Sequence, residues 1–313
     1  MPVIKAKGIA YVRLSAPDLD KMEQFLVDFG MERAARTADR LYMRGCGADH
    51  HIHITHQGPA GFIGFAYLAG SEADLEKLSR EVPGASAVEP IDEPGGGKRV
   101  RLTEPNGFQV EVVHGIEGRA GEPLVVSRVR HAGESSARHG PGRVRRLAHG
   151  VLATPMLHET IKWFRDTLGF IVTDELFVGA EDNIIGSFNR VDAGDDFVDH
   201  HVIFILRNNA GAGMHHVSFE VADVNDVFIG HSHLRQKGYE HIRGIGRHAL
   251  GSQIFDYWVS PYDQMHEHWS SNERFTATSG NGMVRIGDGM VHDTGDKPSE
   301  KFVKQATPAP ASA

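Results

Sequence analysis

The sequence predicts an α+β protein made of two related βαβββ-type domains. Two observations carry this reading. Strand-like runs alternate with single amphipathic helices, and the same landmarks recur in the same order in each half. The length of 313 residues carries a soft prior of two domains, and 40% hydrophobic against 24% charged residues is ordinary for a globular chain.

The landmarks come in pairs. Ile9–Pro17 matches Leu147–Pro155, each a strand ending at proline. A helical pattern follows each: Leu19, Met22, Phe25, Leu26 and Phe29, with Asp18 as cap, and then Ile161, Phe164 and Leu168. Gly30 and Gly169 close them. Asp49–Ile54 matches Asp199–Phe204, and Phe62–Phe65 matches His216–Phe219. Acidic helices follow at Glu72–Val82 and Asp223–Lys237, and Pro105–Glu111 matches Pro261–Glu267. The expected division is 1–115, a first domain without metal; 116–143, a linker with one short strand at Leu124–Val129; 144–272, a second, chemistry-bearing domain; and 273–313, an arm. Ile286 and Met290 leave room for this arm to cover the second domain. Its Pro- and Ala-rich end from Ala306 is expected to be disordered.

Composition excludes several classes. A net charge of −8 argues against a nucleic-acid-binding surface. No apolar run reaches the roughly 18 residues of a membrane span, and Met1–Gly8 shows no signal-peptide core. The single Cys46 excludes an internal disulfide and suits a reducing cytosol, so a cytoplasmic location is expected.

Chemistry concentrates in Arg243–Trp269. Ser260–Asp263 reads as a turn between two strands, so Tyr257 and Trp258 face opposite ways, and Met265 and Glu267 share a face. A buried carboxylate is costly unless paired or metal-bound. Laying one repeat on the other puts His149 over Tyr11, His216 over Phe62 and Glu267 over Glu111. Two imidazoles and one carboxylate form the facial triad of non-haem Fe(II) oxygenases, and Mn(II) suits the same donors. His216 is preferred to His215 on register, because alternation allows only one of them inward. The first domain keeps only Glu111. The His50, His51, His53 and His56 cluster is therefore read as structural.

The second repeat resembles the type I extradiol ring-cleavage dioxygenases (catechol 2,3-dioxygenase and 2,3-dihydroxybiphenyl dioxygenase-like) of the vicinal oxygen chelate superfamily. The matching residues are Leu147-Ala-His149-Gly, Met214-His-His216-Val-Ser-Phe, Gly246-Arg-His248, Tyr257 and Glu267. The resemblance implies tandem domains of paired βαβββ modules forming open barrel-like sheets. It implies iron on His149, His216 and Glu267, with His200, His248 and Tyr257 around it. His200 is preferred to His201 on the family register. His200 would act as acid–base group, Tyr257 would hydrogen-bond the substrate oxygen that loses its proton, and His248 would orient the substrate hydroxyl or Tyr257.

The reaction implied is extradiol opening of an aromatic diol by dioxygen, with no nucleic-acid or membrane partner and a homo-oligomeric assembly. Arg243 and Arg247 carry guanidinium groups suited to a carboxylate. The substrate expected is a substituted catechol, carboxylated or alkylated, such as a dihydroxy-cumate. The rival classes are a glyoxalase-like isomerase or thiol transferase of the same superfamily, and a metal-free ligand-binding protein.

Overall fold

The computed structural model describes residues 1–123, 132–133, 138–287 and 293–311. The strand expected at Leu124–Val129, and Met290, lie outside the described residues. The first half runs β1 (Ile9–Ala16), α1 (Leu19–Phe29), β2 (Glu32–Arg36), β3 (Arg40–Arg44) and β4 (His53–Gln57). It continues with β5 (Gly61–Leu68), α2 (Glu72–Glu81), β6 (Glu89–Pro90), β7 (Lys98–Thr103) and β8 (Gln109–His114). The second half begins with β9 (Val144–Thr154), α3 (Leu157–Leu168), β10 (Ile171–Phe177), β11 (Ile184–Arg190), a short β12 (Val198–Asp199) and β13 (Ile203–Arg207). Its second module is β14 (Gly213–Val221), α4 (Val224–Lys237), β15 (Glu240–Arg247), β16 (Ile254–Val259) and β17 (Met265–Ser270). The arm adds β18 (Arg274–Phe275), β19 (Gly282–Arg285) and α5 (Glu300–Lys304).

The two sheets share one topology. The first is ordered β2-β3-β4-β1-β5-β8-β7-β6, and the second, read from the arm side, β19-β10-β11-β13-β9-β14-β17-β16-β15. Each half holds two βαβββ modules joined where β1 pairs antiparallel with β5, or β9 with β14. Within a module the first and last strands pair parallel, as β1 with β4 and β5 with β8. The helices form where the sequence pattern places them. The Asp18 carboxylate accepts the N–H groups of Asp20 and Lys21 at the start of α1, and Gly30 at φ 110 ends it.

Pairing register corrects one detail of the repeat. Ser218 lies opposite His149 as Ala66 lies opposite Tyr11, so His216 corresponds to Gly64, and Phe62 to Met214. Both seams carry a bulge at the same place, so the strands stay in step and the sequence match of Phe62 to His216 is two residues out of register. Glu111 and Glu267 do correspond, paired with Ala66 and Ser218 respectively. In the first half Arg13 stands where Val151 stands in the second. Its Nε donates to Glu111 Oε2 at 2.9 Å, and Arg99 lies 3.3 Å from the other oxygen. The surviving carboxylate thus has cations of its own. His50, His51, His53 and His56 face different neighbours: His51 packs on Tyr11, His53 stacks on His266, and His56 meets Arg13.

The halves share one core. Phe29 of α1 stacks on His268 at 3.8 Å and meets Phe219 edge-on, while Tyr67 packs against Phe164 and Phe170. Gly150 admits the Phe65 ring so closely that a Cβ there would lie 2.2 Å from it. The C-terminal end departs from the expectation of disorder. Thr307 exchanges two backbone hydrogen bonds with Met214, and Pro308 accepts from the Phe62 amide. Ala306–Pro308 therefore runs as extended chain along the ends of β14 and β5, where unpaired strand groups satisfy its backbone.

Phe29→Ala should remove a shared contact rather than a local one. It should lower unfolding free energy by about 3–5 kcal/mol in urea melts. A loss below about 1 kcal/mol would mean that the halves do not depend on each other's packing.

Candidate metal centre

The curved sheet of the second half encloses a cavity of about 430 Å³. Its walls include Val151, Leu176, Phe188, Phe204, Leu206 and Leu250, with Ile286, Pro298 and Phe302 supplied by the arm. Alternation along β17 sends Met265, Glu267 and Trp269 inward, and His266 and His268 outward onto α1. On β16 it sends Phe255 and Tyr257 inward, and Asp256 and Trp258 under α4.

His149 of β9, His216 of β14 and Glu267 of β17 meet at the cavity floor, their ligand-type atoms all within 4.8 Å of one another. Glu267 Oε2 lies 3.2 Å from His149 Nε2 and 3.4 Å from His216 Nε2. All three residues are buried, yet both Glu267 oxygens, His216 Nε2 and His149 Nδ1 make no hydrogen bond. Burial raises the cost of the Glu267 charge, but the imidazoles of His149, His216 and His248 outweigh it and hold the carboxyl well below its usual range. Burial also lowers the pKa of His149, keeping a lone pair on its ring. Orphaned, converging donors of this kind fit a divalent cation.

A second cluster with the same residue types shows the contrast. His231 of α4, His241 of β15 and Asp256 of β16 also lie within 4.8 Å of one another. There every carboxylate oxygen is used. His241 Nε2 donates at 2.8 Å, Trp258 Nε1 at 2.7 Å, and His231 Nδ1 lies 3.2 Å from both oxygens. These bonds tie α4 to the sheet behind Tyr257, and they leave no donor unpaired.

His248 stacks on Phe255 beside Glu267. Its Nδ1 lies 3.0 Å from Asp293 Oδ2, and its Nε2 3.0 Å from the Tyr257 hydroxyl. A carboxylate only accepts, so Nδ1 carries the hydrogen, and in the neutral ring Nε2 accepts from Tyr257. Burial lowers the His248 pKa, but Asp293 and Glu267 outweigh it and raise the net value. Burial, reinforced by Glu267, pushes the Tyr257 hydroxyl well above its ordinary pKa.

The structure revises other expectations. His200 does not line the cavity; its Nε2 binds Asp174 Oδ2 at 2.7 Å. The neighbouring side chain, His201, lines it and packs 4.1 Å from the His149 ring. The two Nδ1 atoms are 3.0 Å apart, so Asp174 fixes the proton on His200 Nε2, His201 donates from Nδ1, and His201 Nε2 keeps a lone pair. His51, the repeat partner of His201, packs on Tyr11 in the same way, which was the available signal. Both His215 and His216 line the cavity, because the β14 bulge suspends alternation. Arg247 is exposed and donates to the Ser252 carbonyl at 2.6 Å, away from the cavity. Arg243 does line it, but its Nη2 is held by Asp293 at 2.8 Å. Asp293 was not foreseen: the arm has no counterpart in the first half. Gly246 permits the arm's approach, since a Cβ there would lie 2.2 Å from the Thr294 carbonyl.

Residues 146–264 match the family described as the Glyoxalase/Bleomycin resistance protein/Dioxygenase superfamily. The chain is 30% identical over 272 residues to metapyrocatechase 2 of Cupriavidus necator, covering 83% of this chain and 80% of that one. Its fold superposes on the Mn(II)-bound glyoxalase from Novosphingobium aromaticivorans with a TM-score of 0.79 and 26% identity, covering 98% and 96% of the two chains. It superposes on homoprotocatechuate 2,3-dioxygenase from Brevibacterium fuscum with a TM-score of 0.82 and 21% identity, covering 98% and 94%. The chain belongs to the glyoxalase/bleomycin resistance protein/dioxygenase superfamily and, within it, to the extradiol ring-cleaving dioxygenases.

Proposed function

We propose that this protein opens a catechol ring with dioxygen by the extradiol route, using a metal held by His149, His216 and Glu267. Fe(II) is the metal of this reading, with Mn(II) compatible with the same donors. The observation that carries it is the set of buried, unpaired donors facing a mostly apolar cavity. When bound, the metal supplies a centre that gathers the diol oxygens and dioxygen and passes electron density between them.

The chain's own groups manage protons and position. Tyr257 is held protonated by burial beside Glu267, so its hydroxyl can donate to an oxygen anion of the bound diol. His248, steadied at Nδ1 by Asp293, takes the diol proton at Nε2. His201, oriented through His200 and Asp174, offers Nε2 as the second acid–base group. His215 is held neutral, its pKa pushed down to about 3 by burial and by His216. Apolar walls from β9, β11, β13 and the arm exclude water from the ring.

The likeness to a Mn(II)-bound glyoxalase supports a second reading, a metal-dependent isomerase. Oxygen uptake separates the two. A cytoplasmic location and a homo-oligomeric assembly belong to the first reading, the one resting on the single Cys46 and the other on the resemblance alone. No helix of the described residues is long and apolar enough to cross a membrane.

Anaerobic reconstitution followed by elemental analysis should give one Fe(II) per chain. Glu267→Gln should bind almost none, whereas His231→Ala should still bind one. Retention by Glu267→Gln would remove the ligand assignment. With metal in place, substituted catechols should consume dioxygen one for one and give a yellow product. Tyr257→Phe and His201→Ala should each lower kcat by about 10²- to 10⁴-fold, and unchanged rates would exclude them from proton transfer.

A further inference from the structure

Arg243 lines the cavity as the cross-strand partner of Tyr257 in β15 and β16. It packs over the rings of Phe255 and Phe302 at 4.6 and 5.1 Å. A free guanidinium there would favour a ring bearing a carboxylate. It is not free. Asp293 Oδ2 takes Arg243 Nη2 at 2.8 Å and His248 Nδ1 at 3.0 Å, while Asp293 Oδ1 accepts the Ala249 amide at 2.9 Å. The Asp296 carbonyl accepts from Arg243 Nε at 3.4 Å. The other cation on the lining, Lys297, is exposed at the mouth, beside the equally exposed Asp296.

We propose that Asp293 sets the substrate class: by neutralising Arg243 it makes the site select catechols with uncharged, apolar substituents and reject carboxylated ones. The proposal rests on the extradiol reading of this cavity. A carboxylated ring would have to displace Asp293 from a partly buried ion pair, or leave its own charge against Val151, Leu176, Phe188 and Phe204. An alkyl or aryl substituent meets those walls without either cost. The same carboxylate fixes the His248 tautomer, so specificity and proton handling share one residue of the arm.

The test is anaerobic calorimetric binding to the Mn(II)-loaded protein, comparing 4-ethylcatechol with 3,4-dihydroxyphenylacetate. The wild type should bind the neutral ligand at least about tenfold more tightly. Asp293→Asn should shrink or invert that ratio by about tenfold. Asp293→Glu should keep it, and adding Arg243→Leu to Asp293→Asn should abolish the gain. Because a ratio is read, a general weakening from the altered His248 contact cancels. Should Asp293→Asn fail to fold, Asp293→Ser gives the same comparison. Equal binding of the two ligands by the wild type, or an unmoved ratio in the folded variant, overturns the proposal. Oxygen uptake in parallel reports on the reaction itself: a shifted ratio without uptake keeps the selectivity and removes the dioxygenase reading. Uptake with an unmoved ratio does the reverse.

Discussion

Burial of Glu267 is the constraint on which the rest of this structure depends. A carboxylate at the floor of an apolar cavity costs several kcal/mol unless opposite charge and hydrogen bonds surround it. Here it makes no hydrogen bond, and three imidazoles face it. The converging atoms of His149, His216 and Glu267 form a donor set that a divalent cation would satisfy. The first half solves the same problem differently. Its Glu111 occupies the equivalent strand position, and Arg13 and Arg99 provide the charge from the chain. The two halves keep a carboxylate at the same strand position, and the first half supplies its counter-charge from side chains.

Strand alternation organises the remaining polar groups. The inner faces of β16 and β17 carry Tyr257 and Glu267 into the cavity. The outer faces carry Asp256, His266 and His268 into helix packing, where each has hydrogen-bond partners. One pair of strands thus serves both the chemistry and the joint with α4 and α1. The arm completes the cavity from outside the repeat. Asp293 joins Arg243 to His248, and Phe302 covers Tyr257 and His215.

Most of the architecture was legible because two halves of one chain repeat the same strand–helix landmarks. Glu267 and His149 could be found by overlaying those halves, since Glu111 and Tyr11 lie opposite Ala66 as Glu267 and His149 lie opposite Ser218. His216 was identified through a mismatched partner, since strand register places Gly64, not Phe62, in its position. Adjacent histidines were harder. Choosing between His200 and His201 needs the exact phase of a short segment between β12 and β13, which periodicity over so few residues does not supply. Arg243 was legible as a cavity residue but not as a paired one. Its partner lies in the arm, where Gly-, Asp- and Lys-rich sequence has neither period nor repeat to read. The same lack of pattern made the Pro- and Ala-rich end look disordered, although its backbone is paired with Met214 and Phe62.

The most direct measurement is anomalous diffraction at the iron edge from crystals of the anaerobically Fe(II)-loaded protein. The account predicts one strong peak between His149, His216 and Glu267, with no comparable peak at Glu111 or at the His231–His241–Asp256 cluster. A peak at either of those places, or none in the cavity, would contradict the claim that a metal is what the buried Glu267 is built around.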